Sequence, residues 1–285
     1  MAKLYSYLKV SQLEPHLVVK SHVLSTIKLV WFRTIAAGIC YVVLVDLVYH
    51  FTTPLAYFKF LTGFGFLGIT AYFTISMYFS WKSIINPPTY KPFDGFHWGF
   101  QLAYTLLYQS CCVLSCIVSL VYWSLIAPNE ITTLNSTQLF TSIAMHAFNV
   151  ILMALEMLFS SNPFILTHMF VFIPIIMLYV PYKFMIHQFD NKWPYFFFDY
   201  KEVPILFSCV VVGVIVLMSL LHVLFFHLHT LRDVYLGKQT FSSRHAYHLL
   251  LYHLSLSSQP YHRYPSSSSV TNSLRLCMIF LGSSQ

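Results

Sequence analysis

Six long apolar runs, each about as long as a membrane is thick, constrain this chain more than any other feature. They cover roughly Leu29–Phe51, Phe58–Ser80, Leu102–Ile126, Leu139–Ser160, Phe164–Ile186 and Ile205–Leu228. A helix needs about 20 residues to cross the hydrocarbon core, and each run reaches that length. In lipid, backbone polar groups must be satisfied within the segment, which leaves helices or closed barrels. Barrel strands alternate apolar and polar residues over about ten positions, whereas these runs are continuous. The expected fold is all-α, a bundle of six transmembrane helices. Only 9% of the 285 residues are charged and 57% are hydrophobic, against about 25% charged in a soluble domain. A soluble fold of this length could not bury so much apolar surface.

The expected organisation is a cytoplasmic N-terminal arm over residues 1–28, a six-helix transmembrane domain over 29–229 and a cytoplasmic, disordered tail over 230–285. From about Thr240 the chain turns Ser- and His-rich without a helical pattern. The stretch Leu274–Leu281 is too short to span. A polar stretch precedes the first apolar run, so no cleavable signal peptide is expected. Neither Ala2 nor the final Gly282-Ser283-Ser284-Gln285 matches a lipidation signal. No internal repeat marks a two-halved transporter.

The formal net charge is +7. Its carriers cluster in the arm (Lys3, Lys9, Lys20, Lys28, Arg33) and the tail (Arg232, Lys238, Arg244, Arg263, Arg275). That is the distribution of ends facing an anionic leaflet rather than of a nucleic-acid-binding face. The same asymmetry predicts both termini inside, in an endomembrane or the plasma membrane. The sequon Asn135-Ser136-Thr137 then falls on the outer face, close to the membrane. Cys40, Cys111, Cys112, Cys116 and Cys209 lie within the runs as small hydrophobes. They lack the paired spacing of a metal site.

The fourth loop is only Ser161-Asn162-Pro163, so helices four and five form a tight hairpin. Pro174 and Pro181 fall inside helix five and should kink it, opening room for a ligand. The fifth loop carries Trp193-Pro194-Tyr195-Phe196-Phe197-Phe198-Asp199. It reads first as an interfacial aromatic belt, and otherwise as a re-entrant cap over a cavity. Arg33, Lys59 and Lys183 lie near helix ends, where they can snorkel. Asp46 is wet or paired, and His222, His227 and His229 read as interfacial.

Two polar features resist a purely apolar account. In the fourth run, His146, Asn149, Met153 and Glu156 are spaced 3, 4 and 3, which puts them on one helical face. Ionisable groups inside a membrane helix turn to the bundle interior or a wet cavity; the packing alternative is that Asn149 and Glu156 join helices by hydrogen bonds. In the second run stands Thr62, followed by Gly63, Gly65 and Gly68. No strand precedes these glycines, so they serve close helix approach rather than dinucleotide binding. A membrane threonine ordinarily bonds the carbonyl four residues back. With the N-terminus inside, however, Thr62 and His146 share a leaflet, where a hydroxyl and a base can meet as a minimal nucleophilic pair.

The segment Phe58-Lys59-Phe60-Leu61-Thr62 resembles the nucleophile segment of the androgen-induced integral membrane protein (FAR-17a-like) family, intramembrane threonine hydrolases acting on fatty-acid esters of hydroxy fatty acids. His146, followed ten residues later by Glu156, resembles that family's histidine segment, and Trp193 to Asp199 its aromatic-acidic loop. The form His146-x-x-Asn149 is similar to the rolling stone branch, implicated in muscle-cell fusion. The resemblance spans Leu29 to Leu228. It implies Thr62 as nucleophile and His146 as base, with Asn149 and Glu156 as supporting polar residues. It implies a membrane lipid ester as substrate, and no metal or cofactor. The alternative it carries is a non-enzymatic membrane scaffold or fusion-type factor. The tail after Thr240 has no counterpart in the family.

Overall fold

A computed structural model describes residue 8 and residues 13–50, 58–86, 90–193 and 195–236. The expected tail beyond Thr240 lies outside the described residues. Six helices are long and apolar enough to cross a membrane: α1 (Thr26–Tyr49), α2 (Leu61–Ile85), α3 (Trp98–Ile126), α4 (Ser136–Phe159), α5 (Leu166–Asp190) and α6 (Pro204–Tyr235). Among the described residues there is no strand, as expected for an all-α bundle. α6 runs past Leu228, so its last residues belong to the helix rather than to a tail.

α1 packs on α2, α2 on α3 and α3 on α4, while α6 packs on α3 and α5. The start of α1 and the finish of α6 share one end of the bundle, the proximal end. The starts of α2, α4 and α6 share the distal end. Gly68 marks the close approach of α2 to α3: a methyl group there would lie 3.6 Å from the Cys111 sulfur. The cysteines of α3 accordingly serve packing; Cys111 and Cys112 are buried free thiols.

α6 is docked unevenly. Its buried residues are Met218, His222, Phe225, His229 and Arg232, at alternating spacings of four and three, all from the middle of the helix to its proximal end. Such a stripe is one helical face. No residue of the helix before Met218 is buried.

The proximal half is held by a polar network whose members lie far apart in the sequence. Arg33 does not snorkel. It is fully buried, and its Nη2 lies 2.5 Å from Glu156 Oε1. Its Nη1 donates to the Val18 carbonyl and to Ser80 Oγ, both at 2.7 Å. Tyr72 donates to the same Glu156 oxygen at 2.7 Å and accepts from the Asn162 amide at 2.7 Å. A buried charge is tolerated when it is paired and its remaining hydrogen-bonding capacity is met. Through Val18 the network also anchors the N-terminal arm. Ser161 N–H donates to the Lys20 carbonyl at 3.0 Å, and Gln101 donates to that of Leu13 at 2.6 Å. The arm is therefore docked against the bundle over these residues.

The other membrane-level charges are also placed more specifically than expected. His222 and His229 are buried, not interfacial: His229 Nε2 lies 2.8 Å from the Tyr108 hydroxyl, and His222 Nε2 lies 3.3 Å from the Ile165 carbonyl. Lys183 is fully buried rather than snorkelled, with its ammonium 4.6 Å from the Tyr179 ring centre and 5.0 Å from that of Tyr182, a cation–π arrangement. Lys59 pairs with Asp190 at 2.5 Å, and Asp46 accepts from Thr141 at 2.7 Å. Asn135 of the sequon caps α4, accepting from Gln138 N–H at 2.9 Å while Gln138 reaches back to it in a capping box.

Candidate functional site

The distal half of the bundle holds a cavity of about 290 Å³, and both Thr62 and His146 line it. Its walls come from the start of α2, the distal parts of α3, α4 and α6, the middle of α5 and the loop before α6. Its polar groups are Thr62, Tyr122, Ser142, His146, Tyr179 and Tyr195; no Asp, Glu, Lys or Arg is among its described lining residues. Ligand sites are typically apolar clefts with a few convergent polar groups, and this cavity has that character.

Thr62 sits in the first turn of α2, just after Phe60, whose side chain provides no cap. Thr70 and Thr74, deeper in the helix, donate to carbonyls four residues back at 2.9 and 2.7 Å. For Thr62 the residue four back is Phe58, outside the helix, and its carbonyl accepts from Tyr182 at 3.2 Å. Helix geometry therefore spares Thr62 the bond that occupies an interior threonine. The Tyr179 hydroxyl donates to the Lys59 carbonyl at 3.1 Å, fastening α5 to the start of α2.

His146 lies in a π-helical turn, Ala144–Phe148, within α4. A second π-turn, Tyr122–Ile126, ends α3. π-Turns insert an extra residue into the helical repeat and re-aim side chains, often at functional sites. Here they bring Tyr122 and His146 face to face, with ring centres 3.6 Å apart and planes within 1° of parallel. His146 is 8% exposed, and its Nδ1 is sealed from the cavity with no hydrogen-bond partner among the described residues. Nε2 is the nitrogen left to meet the cavity.

The helical face expected from spacing is real: His146, Asn149, Met153 and Glu156 are all buried. It does not, however, form one site. Glu156 belongs to the Arg33 network of the proximal half and does not line the cavity. Ten residues of helix separate it from His146, about 15 Å at 1.5 Å per residue. Asn149 also lies off the cavity; its amide donates to the Met145 carbonyl, one turn back.

α5 and the fifth loop complete the walls. α5 breaks at Leu178, between Met169–Met177 and Tyr179–Asp190. Pro181 cannot donate to the carbonyl of Met177 and its ring crowds it, which accounts for the break at that point. Met177, Tyr179 and Val180 on either side of it face the cavity. The loop forms a short 3₁₀ turn, Phe196–Phe198, with Phe197 and Phe198 buried. Both line the cavity with Tyr195. This part of the loop is thus a cap, not the interfacial belt of the first reading. Phe196 remains exposed, and Trp193 stacks on His187 at 3.9 Å.

Sequence reasoning named Thr62 and His146 but missed Tyr122 and Tyr179. Both are aromatic residues in apolar runs, and their role depends on helix irregularities that no residue spacing announces. In comparisons with models of protein families, with characterised proteins and with solved structures, nothing matches this chain.

Proposed function

We propose that the distal cavity is the active site of an intramembrane hydrolase of lipid esters, with Thr62 as nucleophile and His146 as general base. The observation that carries this reading is one apolar cavity lined by both a hydroxyl free of helix back-bonding and a buried imidazole. Thr62 Oγ1 attacks the ester carbonyl carbon as His146 Nε2 takes its proton. The tetrahedral intermediate collapses, the alkoxide leaves with that proton, and an acyl-threonine remains. Water then gives a proton to His146 and attacks the acyl carbon. Thr62 departs with the returned proton, and the fatty acid is released. The N–H of Thr62, in the first turn where helix donors lack intrahelical acceptors, offers a hydrogen bond to the developing oxyanion. The absence of Asp, Glu, Lys and Arg among the described lining residues suits an acyl chain.

The charge asymmetry supports a chain with both termini cytoplasmic and the cavity in the opposite leaflet, in an endomembrane or the plasma membrane. The competing scaffold reading is favoured by the lack, among the described residues, of a carboxylate behind His146, which in hydrolytic triads orients the imidazole. Purified protein in detergent should hydrolyse a fluorogenic long-chain acyl ester without added cofactor. Folded protein that turns over no acyl ester of any chain length would overturn the hydrolase reading.

The break in α5 gives a second expectation. Pro181→Ala restores the missing backbone donor and straightens the helix, narrowing the cavity at Met177 and Val180. KM for a long-chain ester should rise several-fold, while that for an acetyl ester stays near wild type. Equal KM changes for the two esters would disconnect the proline from cavity shape.

A further inference from the structure

The imidazole of His146 has lost the usual means of orientation. In hydrolytic triads the distal ring nitrogen donates to a carboxylate or amide, which fixes both tautomer and ring angle. Here Nδ1 has no hydrogen-bond partner among the described residues. Glu156 is bound to Arg33 and Tyr72, and the Asn149 amide donates to the Met145 carbonyl. Nevertheless the ring is held, because the Tyr122 ring lies against its whole face, 3.6 Å away and 1° from parallel.

We infer that Tyr122 is the positioning residue of His146, doing by ring stacking what a hydrogen-bonded acid does in a triad. The inference rests on the hydrolase reading of the cavity. Its physical basis is steric and dispersive. At 3.6 Å the rings are in van der Waals contact, so turning the imidazole about its Cβ–Cγ bond drives a ring edge into the tyrosine face. A flip that would exchange Nδ1 with Cδ2 and Nε2 with Cε1 is blocked, and Nε2 stays toward the cavity. The two π-turns are what allow the stack, since they bring Tyr122 and His146 together from helices that otherwise pack through regular α-turns. The ring rather than the hydroxyl carries the function: the Tyr122 hydroxyl is buried with no hydrogen-bond partner among the described residues.

Tyr122→Phe and Tyr122→Leu separate the ring from the hydroxyl. The Phe variant keeps the stack and should stay within about twofold of wild type in kcat on a p-nitrophenyl acyl ester. The Leu variant frees the imidazole and should lose about tenfold or more in kcat with KM within about twofold, as expected when geometry is lost without loss of binding. A readout independent of activity is the nitrogen NMR signature of ¹⁵N-histidine-labelled protein, with the His146 signals assigned by their loss in His146→Ala. Wild type and the Phe variant should share one set of ring nitrogen shifts, and the Leu variant should depart from it as its freed ring meets new surroundings. Size-exclusion profiles confirm that the compared proteins are folded, and Tyr122→Met serves if the Leu variant is not. Unchanged ring nitrogen shifts and unchanged kcat in the folded Leu or Met variant would overturn the positioning role. Full activity in Thr62→Ala and His146→Ala would instead overturn the hydrolase reading, and the positioning role with it, whatever the ring signature does.

Discussion

Replacing Thr62 or His146 by Ala should lower ester hydrolysis by roughly a thousandfold or more, and the double variant should be little worse than either single one. Groups that act as a unit in nucleophilic catalysis lose most of their effect when any member is removed. Both side chains line the cavity rather than the tightly packed proximal half, so the variants should remain folded and monodisperse. Thr62→Ser, which keeps the hydroxyl, should retain measurable turnover. Steady-state assays on purified protein check all four variants. The scaffold reading makes the opposite prediction: changes in stability alone, roughly additive between the two positions.

Breaking the Arg33–Glu156 pair should have the largest effect on stability. Among the described residues, Glu156→Gln leaves a fully buried guanidinium without a counter-charge, and Arg33→Met leaves a buried carboxylate held by Tyr72 alone. Removing one partner of a buried pair destabilises by about 3–5 kcal/mol, whereas replacing both by apolar residues is often nearly neutral. Each single variant should therefore melt roughly 6–20 °C below wild type, using about 2–4 °C per kcal/mol for a chain of this size. Arg33→Met with Glu156→Met should recover much of the loss. Thermal unfolding in detergent measures this. Because the pair lies outside the cavity lining, turnover per folded molecule should be unchanged. A Glu156→Gln protein that melts normally but loses turnover would return Glu156 to the catalytic group.

The six spans were legible because lipid imposes a length and an apolar content that no other environment requires. The buried face of α4 was legible too, since 3, 4, 3 spacing is helical geometry. What that face does was not. His146 and Glu156 share a face but belong to different halves, because Glu156 finds its partner in Arg33, 123 residues earlier in the chain. Arg33 is ambiguous for the same reason: a charge near a helix end can snorkel or pair, and sequence does not say which. The docking of the arm is written in backbone carbonyls, at Val18, Lys20 and Leu13, which leave no mark in side-chain chemistry. Tyr122 is not legible in the sequence because its use depends on two π-turns, and their extra residue is invisible to a periodicity of 3.6. The kink was different: Pro181 announced it, and the break at Leu178 follows from the missing donor.

The most direct test of the Thr62–His146 site is covalent capture. Detergent-solubilised wild type and Thr62→Ala are treated with a fluorophosphonate probe, and the modified residue is located by peptide mass spectrometry. An activated hydroxyl predicts a phosphonylated Thr62 in wild type and no labelled protein in the variant. Labelling that persists undiminished in Thr62→Ala, or a folded wild type that takes up no probe, would contradict the assignment of Thr62 as nucleophile.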